Sequence, residues 1–118
     1  DMSLEAHLIE SMTDIVFAKD LNGRYIAGNS AWAHLLGKTV DELTGLTDLD
    51  LFPADLAGSF RANDQAMLAS GQAQSNEEWV TYPDGRSALL ETVKTPLRDA
   101  SGTVIGLVGV CREIACPR

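Results

Sequence analysis

Positive charge is scarce in this sequence, which has 9 Lys and Arg residues against 17 Asp and Glu residues and a formal net charge of −8 at pH 7. A surface that binds nucleic acid needs clustered cations to contact phosphates, so we expect no direct nucleic-acid contact. No apolar run approaches the ~20 residues of a membrane-spanning helix, and no charged-then-apolar leader opens the chain. We therefore expect a cytoplasmic domain without membrane insertion.

Cysteine and histidine are also rare, with two of each. Cys116 follows Cys111 by five residues, about 16 Å along a continued strand, which is too far for a disulfide. No CxxC pair supports zinc or dithiol chemistry, and reduced thiols are typical of a cytosolic protein. No metal site is predicted either, because Asp48, Asp50 and Asp55 lack EF-hand spacing and are expected to be loop and cap residues.

The length and apolar content favour a single domain with its own core, since the chain has 118 residues of which 45% are hydrophobic. Changes in hydrophobic period and the positions of Gly and Pro predict ten elements. They are a short amphipathic helix over 2–12, strands over 15–19 and 24–28, helical segments over 30–36, 39–45 and 47–52, a longer helix over 53–70, and strands over 74–82, 86–97 and 103–114.

Local signals define several of these elements. Asn22 and Gly23 between two strands predict a hairpin with a type I′ turn, in which both central residues have positive φ. Thr39 and Glu42 have the spacing of a capping box, in which each side chain bonds a free amide at the helix start. The last strand is apolar on both faces, which predicts a central position in the sheet. Short helices over one five-stranded sheet would leave room for a small ligand between the two layers.

The order and spacing of these motifs resemble the PAS domain family, a small α+β sensory module, over about residues 12–115. The resemblance implies the profilin-like PAS fold: a five-stranded antiparallel sheet with order 2-1-5-4-3, short helices on one face and an N-terminal capping helix. It divides the chain into an amphipathic helix over 1–12, the PAS domain over 13–115 and the start of a linker over 116–118. The matching motifs are Lys19–Arg24, Asn29, Leu35–Gly37, Asp41–Gly45, Asp48–Pro53, Tyr82–Arg86, Lys94–Asp99 and Gly106–Val110.

The same resemblance implies a sensory or regulatory role without catalysis by this domain. The attached effector would be a histidine kinase, a cyclic-dinucleotide enzyme or a transcription regulator. The stripe of Leu4, Leu8 and Met12 on the first helix is the candidate surface of a homodimer; alternatively, it packs on the sheet of its own chain. Glu113 and Ile114 occupy the positions of the family's Asp-Ile-Thr signature and are the candidates for passing the signal to the effector.

No cofactor is evident from the residues. A heme-binding PAS domain needs an axial ligand, usually His on the long helix, and no His follows His34. Flavin and coumarate photoreceptors of this fold need a reactive Cys in the helical middle of the chain, where none is present. An unknown small molecule in an apolar pocket remains the open interpretation. The candidate lining residues are Ile26, Trp32, Leu35, Leu49, Phe52, Leu56, Phe60, Trp79, Leu90, Thr92, Val108 and Val110.

Two alternatives stay open at this stage. The candidate lining residues also suit a close-packed core, in which case the chain is a ligand-free PAS dimerisation scaffold. Alternatively the chain is a small standalone enzyme with His34 as a base, paired with Asp20 or Glu91, although an exposed helix position explains this His more simply.

Charges near the pocket are expected to be few. No buried Arg or Lys is predicted, which disfavours a dianionic ligand such as a dicarboxylate. Glu77 and Glu78 are neighbours in a strand and therefore point to opposite faces of the sheet. One of them is expected to be solvated and the other to pair with Arg86 or Lys94 across the hairpin.

Overall fold

The structure, a computed structural model, describes residues 3–115; the predicted linker 116–118 and Cys116 lie outside the described residues. Every predicted helix and strand is present, with bounds that differ from prediction by a few residues at most. The elements are α1 (Leu4–Ser11), β1 (Ile15–Asp20), β2 (Tyr25–Gly28), α2 (Ser30–Leu36), α3 (Val40–Leu43), α4 (Asp48–Leu51), α5 (Ala54–Ser70), β3 (Gln74–Thr81), β4 (Ser87–Arg98) and β5 (Val104–Ala115).

The five strands form one antiparallel sheet with the order β2-β1-β5-β4-β3. The predicted central position of the last strand is confirmed, since β5 pairs with β1 on one side and with β4 on the other. Side chains from α2, α3 and α5 pack with one face of the sheet in a single core cluster that includes Trp32, Leu43 and Met67. Within residues 3–115, no helix combines the length and the apolar character that crossing a bilayer requires.

The register of the strands decides which side chains face the helices. Ile15 lies opposite Cys111, which in turn lies opposite Thr92, so these three side chains share one face across β1, β5 and β4. Alternation along each strand extends that face, which we call the inner face. Its members on the three strands are Ile15, Phe17, Lys19, Leu90, Thr92, Lys94, Leu107 and Cys111.

The β1–β2 hairpin forms as predicted, but its turn is of another type. Gly23 has φ of 81°, whereas no non-glycine residue of the described chain has positive φ, so the type I′ prediction for Asn22 is wrong. The Asp20 carboxylate accepts the amide N–H groups of Asn22 at 2.9 Å and Arg24 at 3.0 Å. The Gly23 amide donates to the Asp20 carbonyl at 3.1 Å. Asp20 therefore holds Asn22 at negative φ, and glycine alone takes the left-handed position that closes the loop.

Two short helices begin at side-chain caps. The predicted capping box is confirmed: the Glu42 amide donates to the Thr39 hydroxyl at 3.1 Å, and the Thr39 amide donates to the Glu42 carboxylate at 3.0 Å. The hydrogen bond from the Thr39 amide lowers the pKa of Glu42. At the start of α4 the Asp50 carboxylate accepts the Thr47 amide at 2.9 Å. This cap fixes the orientation of α4, in which Asp48 is buried and its neighbour Leu49 is exposed.

Candidate ligand-binding site

A cavity of about 870 Å³ lies between the inner face of the sheet and the helices α2 and α5. Its walls come mainly from α2, α5, β3 and β4. The structure brings together at this cavity eight of the twelve residues predicted to line a pocket. They are Trp32, Leu35, Phe52, Leu56, Phe60, Trp79, Leu90 and Thr92.

The other four predicted lining residues lie elsewhere, and the prediction is wrong for them. Val108 and Val110 alternate with Leu107 and Cys111 on β5, so they belong to the outer face of the sheet. Because this strand is apolar on both faces, the sequence pattern alone cannot tell which set faces inward.

Ile26 and Leu49 are both exposed rather than at the cavity. Ile26 alternates with Tyr25, and it is Tyr25 that faces the core. Leu49 is 71% exposed because its neighbour Asp48 takes the inward position of α4. Trp79 borders the cavity but is 60% exposed, since it alternates with the half-buried Glu78 along β3.

One wall of the cavity is aromatic. The Tyr25 ring lies 5.0 Å from the Trp32 ring and 5.6 Å from the Phe17 ring, and Phe17 stacks on Trp32 at 6.4 Å. On the helix side, Phe52 and Phe60 meet edge to face with ring centroids 5.2 Å apart. Such rings present a large, rigid apolar surface, which suits a planar or apolar ligand.

A buried polar network lies beside this wall. The Lys19 ammonium donates to Asp48 at 2.6 Å and to Asp64 at 2.7 Å, and the Lys94 ammonium donates to the other oxygen of Asp64 at 2.5 Å. The Tyr25 hydroxyl donates to the second oxygen of Asp48 at 2.6 Å. These side chains are all buried. We call the set of Lys19, Tyr25, Asp48, Asp64 and Lys94 the buried network.

The network overturns the expectation that no Lys is buried near the pocket, and also the expectation that Asp48 is a simple loop or cap residue. Two ammonium groups face two carboxylates, so the formal charge of the network is zero. Buried charges are tolerated only when paired and hydrogen-bonded in this way. The pairing leaves no surplus positive charge for an anionic ligand.

Tyr25 is the neutral member of the network. Burial, and after it the charge of Asp48, raises the pKa of Tyr25 well above its ordinary value. The hydroxyl therefore keeps its proton and acts as a donor to Asp48. This arrangement needs no further counter-ion.

A sequence signal for the network does exist. Lys19 follows Ile15 and Phe17 at two-residue spacing on β1, so the three side chains lie on one face. Lys94 follows Leu90 and Thr92 in the same way on β4. On α5, Asp64 follows Phe60 by four residues and precedes Met67 by three, which places it on the inward stripe. These periods would predict burial of the charged side chains only if each had a partner, and the partners are 29, 30 and 45 positions apart in the chain.

Lys94 has hydrogen-bonding capacity left over. An ammonium group has three N–H donors. Within the part of the chain that the structure describes, Lys94 donates to Asp64 alone, whereas Lys19 donates to two carboxylates. The Lys94 ammonium also lies 5.9 Å from the centre of the Phe60 ring, and both residues line the cavity. A ligand oxygen or ring nitrogen in the cavity could accept from Lys94.

The Cys111 thiol also lines the cavity, but it is not a reactive group. The Thr92 hydroxyl lies 3.2 Å from the Cys111 sulfur and donates to it. Burial raises the pKa of the Cys111 thiol, so the thiolate that a nucleophile requires is disfavoured.

The alternative of a standalone enzyme gains no support from the geometry. His34 is exposed, and its ring lies 6.1 Å from the Tyr82 ring. Its two proposed partners are engaged elsewhere: Asp20 caps the β1–β2 turn and Glu91 accepts from Arg112 at 2.8 Å. Among the described residues there is no group of three or more His, Cys, Asp or Glu side chains that could hold a metal ion.

The paired glutamates on β3 behave only partly as predicted. Glu78 is half-buried and Glu77 is exposed, in agreement with their alternation. The predicted partners, however, are bound to other carboxylates: Arg86 to Glu113 and Lys94 to Asp64.

The proposed output residue Glu113 joins the end of β5 to the β3–β4 hairpin. The Arg86 guanidinium donates to Glu113 at 3.1 Å and lies over the Tyr82 ring, 4.2 Å from its centre. The Tyr82 hydroxyl lies 3.5 Å from the same carboxylate. Ile114, the other candidate, is exposed.

The proposed dimer surface is open to solvent. Leu4, Leu8 and Met12 are all exposed, and no residue of α1 is buried within its own chain. The helix is tied to the domain at its C-terminal end, where the Asn29 amide donates to the Ile9 carbonyl at 3.2 Å.

Curated relatives of this chain include a sensor protein and a histidine kinase. It is 29% identical over 106 residues to the aerobic respiration control sensor protein ArcB of Escherichia coli K12. The aligned region covers 90% of this chain and 14% of ArcB. It is 30% identical over 107 residues to the methanogenesis regulatory histidine kinase FilI of Methanothrix harundinacea. The aligned region covers 91% of this chain and 12% of FilI. The chain thus spans about one seventh or less of these relatives.

Solved structures of VqmA have the same fold. The structure of a Vibrio cholerae VqmA dimer superposes with a TM-score of 0.86 at 26% identity, covering 97% of this chain and 53% of that one. A structure of VqmA bound to DPO superposes with a TM-score of 0.85 at 25% identity, covering 94% and 56%. The relatives of this chain thus include a sensor protein, a regulatory histidine kinase and VqmA. The family model of the PAS fold matches residues 9–116, and the chain therefore belongs to the PAS family.

Proposed function

We propose that this chain is the sensing domain of a signalling protein, which binds a small, mainly apolar molecule in the cavity and passes the change to an attached effector. One observation carries the proposal: the buried Lys94 ammonium lines an aromatic-walled cavity and has N–H donors that no described residue accepts. A ligand acceptor would complete its hydrogen bonds. An unsatisfied buried donor is costly, so such a ligand would be bound with selectivity.

The surroundings restrict the ligand. The walls are mainly aromatic and aliphatic, and the buried network is formally neutral, so a dianion would enter without compensating charge. A cavity of about 870 Å³ is of the size that holds small molecules. The relative VqmA has been solved bound to DPO, which supports ligand binding by this fold.

The effector belongs to the proposal as well. ArcB is a sensor protein and FilI a histidine kinase, and one structure of VqmA is a complex with ligand and DNA. We favour a histidine kinase or a transcription regulator as the effector, with DNA contacts, if any, made outside this domain. A cytoplasmic location stays a prediction.

A homodimer is the proposed working form. The exposed stripe of Leu4, Leu8 and Met12 would be covered by a second copy, and one structure of VqmA is a dimer. Within each copy, β5 would carry the change from the cavity, where Cys111 lies, to Glu113 two residues later.

Native mass spectrometry of the purified chain, followed by thermal unfolding against a library of small aromatic compounds, tests ligand binding. We expect either a bound mass or compounds that raise the melting temperature in proportion to the logarithm of their concentration. Lys94→Met should abolish the effect, whereas Lys38→Met, at an exposed position, should preserve it. If neither a bound mass nor a stabilising compound is found, the chain is a ligand-free dimerisation scaffold.

A further inference from the structure

Glu78 is a second polar group at the cavity, at a distance from the buried network. It lies on β3 opposite Leu90, on the same face as Asn76 and Val80, and it lines the cavity. Burial, and to a smaller extent the charge of Glu78, raises the pKa of the Cys111 thiol. Because its register partner Leu90 is on the inner face, Glu78 lies on the same face of the sheet as this thiol.

No described residue pairs with Glu78. Its nearest candidates in the hairpin, Arg86 and Lys94, bind Glu113 and Asp64. The charges of the buried network cancel, so the half-buried Glu78, together with the exposed Glu77 at the rim, gives the cavity a net negative charge. An anion would be repelled there, while a cation would find its counter-ion.

Lys94 marks one end of a stretch of the cavity's strand wall, and Glu78 marks the other end of that stretch. Lys94 lies opposite Gln74 in the β3–β4 register, and Glu78 follows Gln74 by four residues. Four residues of strand span about 13 Å. Between the two ends the wall carries Asn76 and Thr92, which pair in register.

We infer that the cavity selects a ligand with two different polar ends: a hydrogen-bond acceptor for Lys94 and a protonated amine for Glu78, joined by an apolar or aromatic body. The inference rests on the proposed function and adds a ligand class to it. Lys94 supplies donors at one end and Glu78 supplies acceptors at the other. The aromatic wall and the Phe52–Phe60 pair accommodate the body between them.

Three probes that share one skeleton test the inference by isothermal titration calorimetry on the whole chain. Tyramine, tyrosol and 4-hydroxyphenylacetate all carry a 4-hydroxyphenyl group, and their side arms end in a cation, a neutral hydroxyl and an anion. We expect tyramine to bind about tenfold more tightly than tyrosol, and 4-hydroxyphenylacetate to bind most weakly.

Two variants separate Glu78 from the general acidity of the chain. Glu78→Gln should reduce the preference for tyramine over tyrosol to less than about threefold. Glu91→Gln removes the same charge from β4, on the face of the sheet directed away from the cavity, and should leave the preference unchanged. Thermal unfolding of both variants checks that the fold is retained.

Equal affinity for the three probes, tighter binding of the anion, or an unchanged preference in Glu78→Gln would overturn the inference. Absence of binding by all three probes would overturn it too. If none of the three probes binds, a bound mass or a stabilising library compound would still support the proposed function. If neither is found, both the inference and the proposed ligand binding are wrong.

Discussion

Lys94 donates to Asp64 at 2.5 Å although the two residues are thirty positions apart in the chain. The bond joins β4 to the middle of α5. The other oxygen of Asp64 accepts from Lys19 on β1, so this one carboxylate fixes the long helix over two strands of the sheet. The helix side of the cavity is thus held by charge as well as by apolar packing.

Asp64→Asn should destabilise the domain strongly. The variant leaves two buried ammonium groups with Asp48 as their only carboxylate among the described residues. Removing one partner of a buried ion pair costs about 3–5 kcal/mol. Urea unfolding measures the loss, and Asp55→Asn, at an exposed position of the same helix, serves as the control. Equal losses in the two variants would show that the network does not stabilise the fold.

Two glycine substitutions should have opposite effects. A Cβ at Gly109 would lie 2.2 Å from the Phe17 ring, which is itself packed against Tyr25 and Trp32. Gly109→Ala should therefore cost about 1–3 kcal/mol through overpacking. A Cβ at Gly58, within α5, meets nothing within 4 Å, so Gly58→Ala should add about 0.5–1 kcal/mol. Thermal unfolding of both variants measures the two changes in stability, and a higher melting temperature for Gly109→Ala would contradict the prediction.

The elements of the fold could be predicted from the sequence because their signals are local. The capping box of Thr39 and Glu42 and the position of β5 both followed from residue type and period. The conformation of the turn at Asn22 could not be predicted, because it depends on the hydrogen bond that the Asn22 amide donates to the Asp20 carboxylate. The sequence also could not show which residues of β5 lie on the inner face, since Val108 and Leu107 are both apolar and only packing distinguishes the two faces.

The buried network was not predicted, although hydrophobic period places Lys19, Lys94 and Asp64 on inward faces, and the physical reason is different. Each Lys and Asp, taken alone, is expected at the surface because burial of an unpaired charge is unfavourable. Lys19 and Asp64 are buried because they pair over 45 positions, and the sequence contains no local sign of that pairing. The hydrophobic period of α5 was enough to predict that Phe60 lines the cavity, since burial of an apolar side chain requires no ionic or hydrogen-bonding partner.

Leu8→Glu should weaken the proposed homodimer. The side chain is exposed on α1 within its own chain, so the substitution leaves the monomer fold intact while placing a charge in the proposed interface. We expect the dissociation constant measured by analytical ultracentrifugation to rise at least about tenfold. Ile105→Glu changes another exposed apolar residue, near the start of β5, and should have no effect. Unchanged association in Leu8→Glu would exclude this helix as the interface.

Glu113→Gln should uncouple the domain from the proposed effector without much effect on unfolding. The substitution weakens the bond from Arg86, an exposed ion pair of a kind that contributes little to stability. Glu91→Gln, which weakens the comparable pair with Arg112, is the matched control. In the intact signalling protein, we expect Glu113→Gln alone to reduce the change in effector output on ligand addition. Equal responses in the two variants would remove Glu113 from the signalling route.

Tyr25→Phe should change how stability depends on alkaline pH. The pKa of Tyr25 is raised by burial and by Asp48, so the folded chain keeps a proton that the unfolded chain loses near pH 10. The unfolded state then binds fewer protons, and stability is full below that pH and falls as the pH rises beyond it. In Tyr25→Phe this fall should be shallower, although the lost bond to Asp48 lowers stability near neutral pH by about 1.5–3 kcal/mol. Urea unfolding from about pH 8 to about pH 11 measures both effects.

Tyr82→Phe is the control, because Tyr82 lies on the hairpin away from the network and its pKa is raised less. An equally steep alkaline fall in Tyr25→Phe and the unmodified chain would show that Tyr25 does not retain its proton through the buried network.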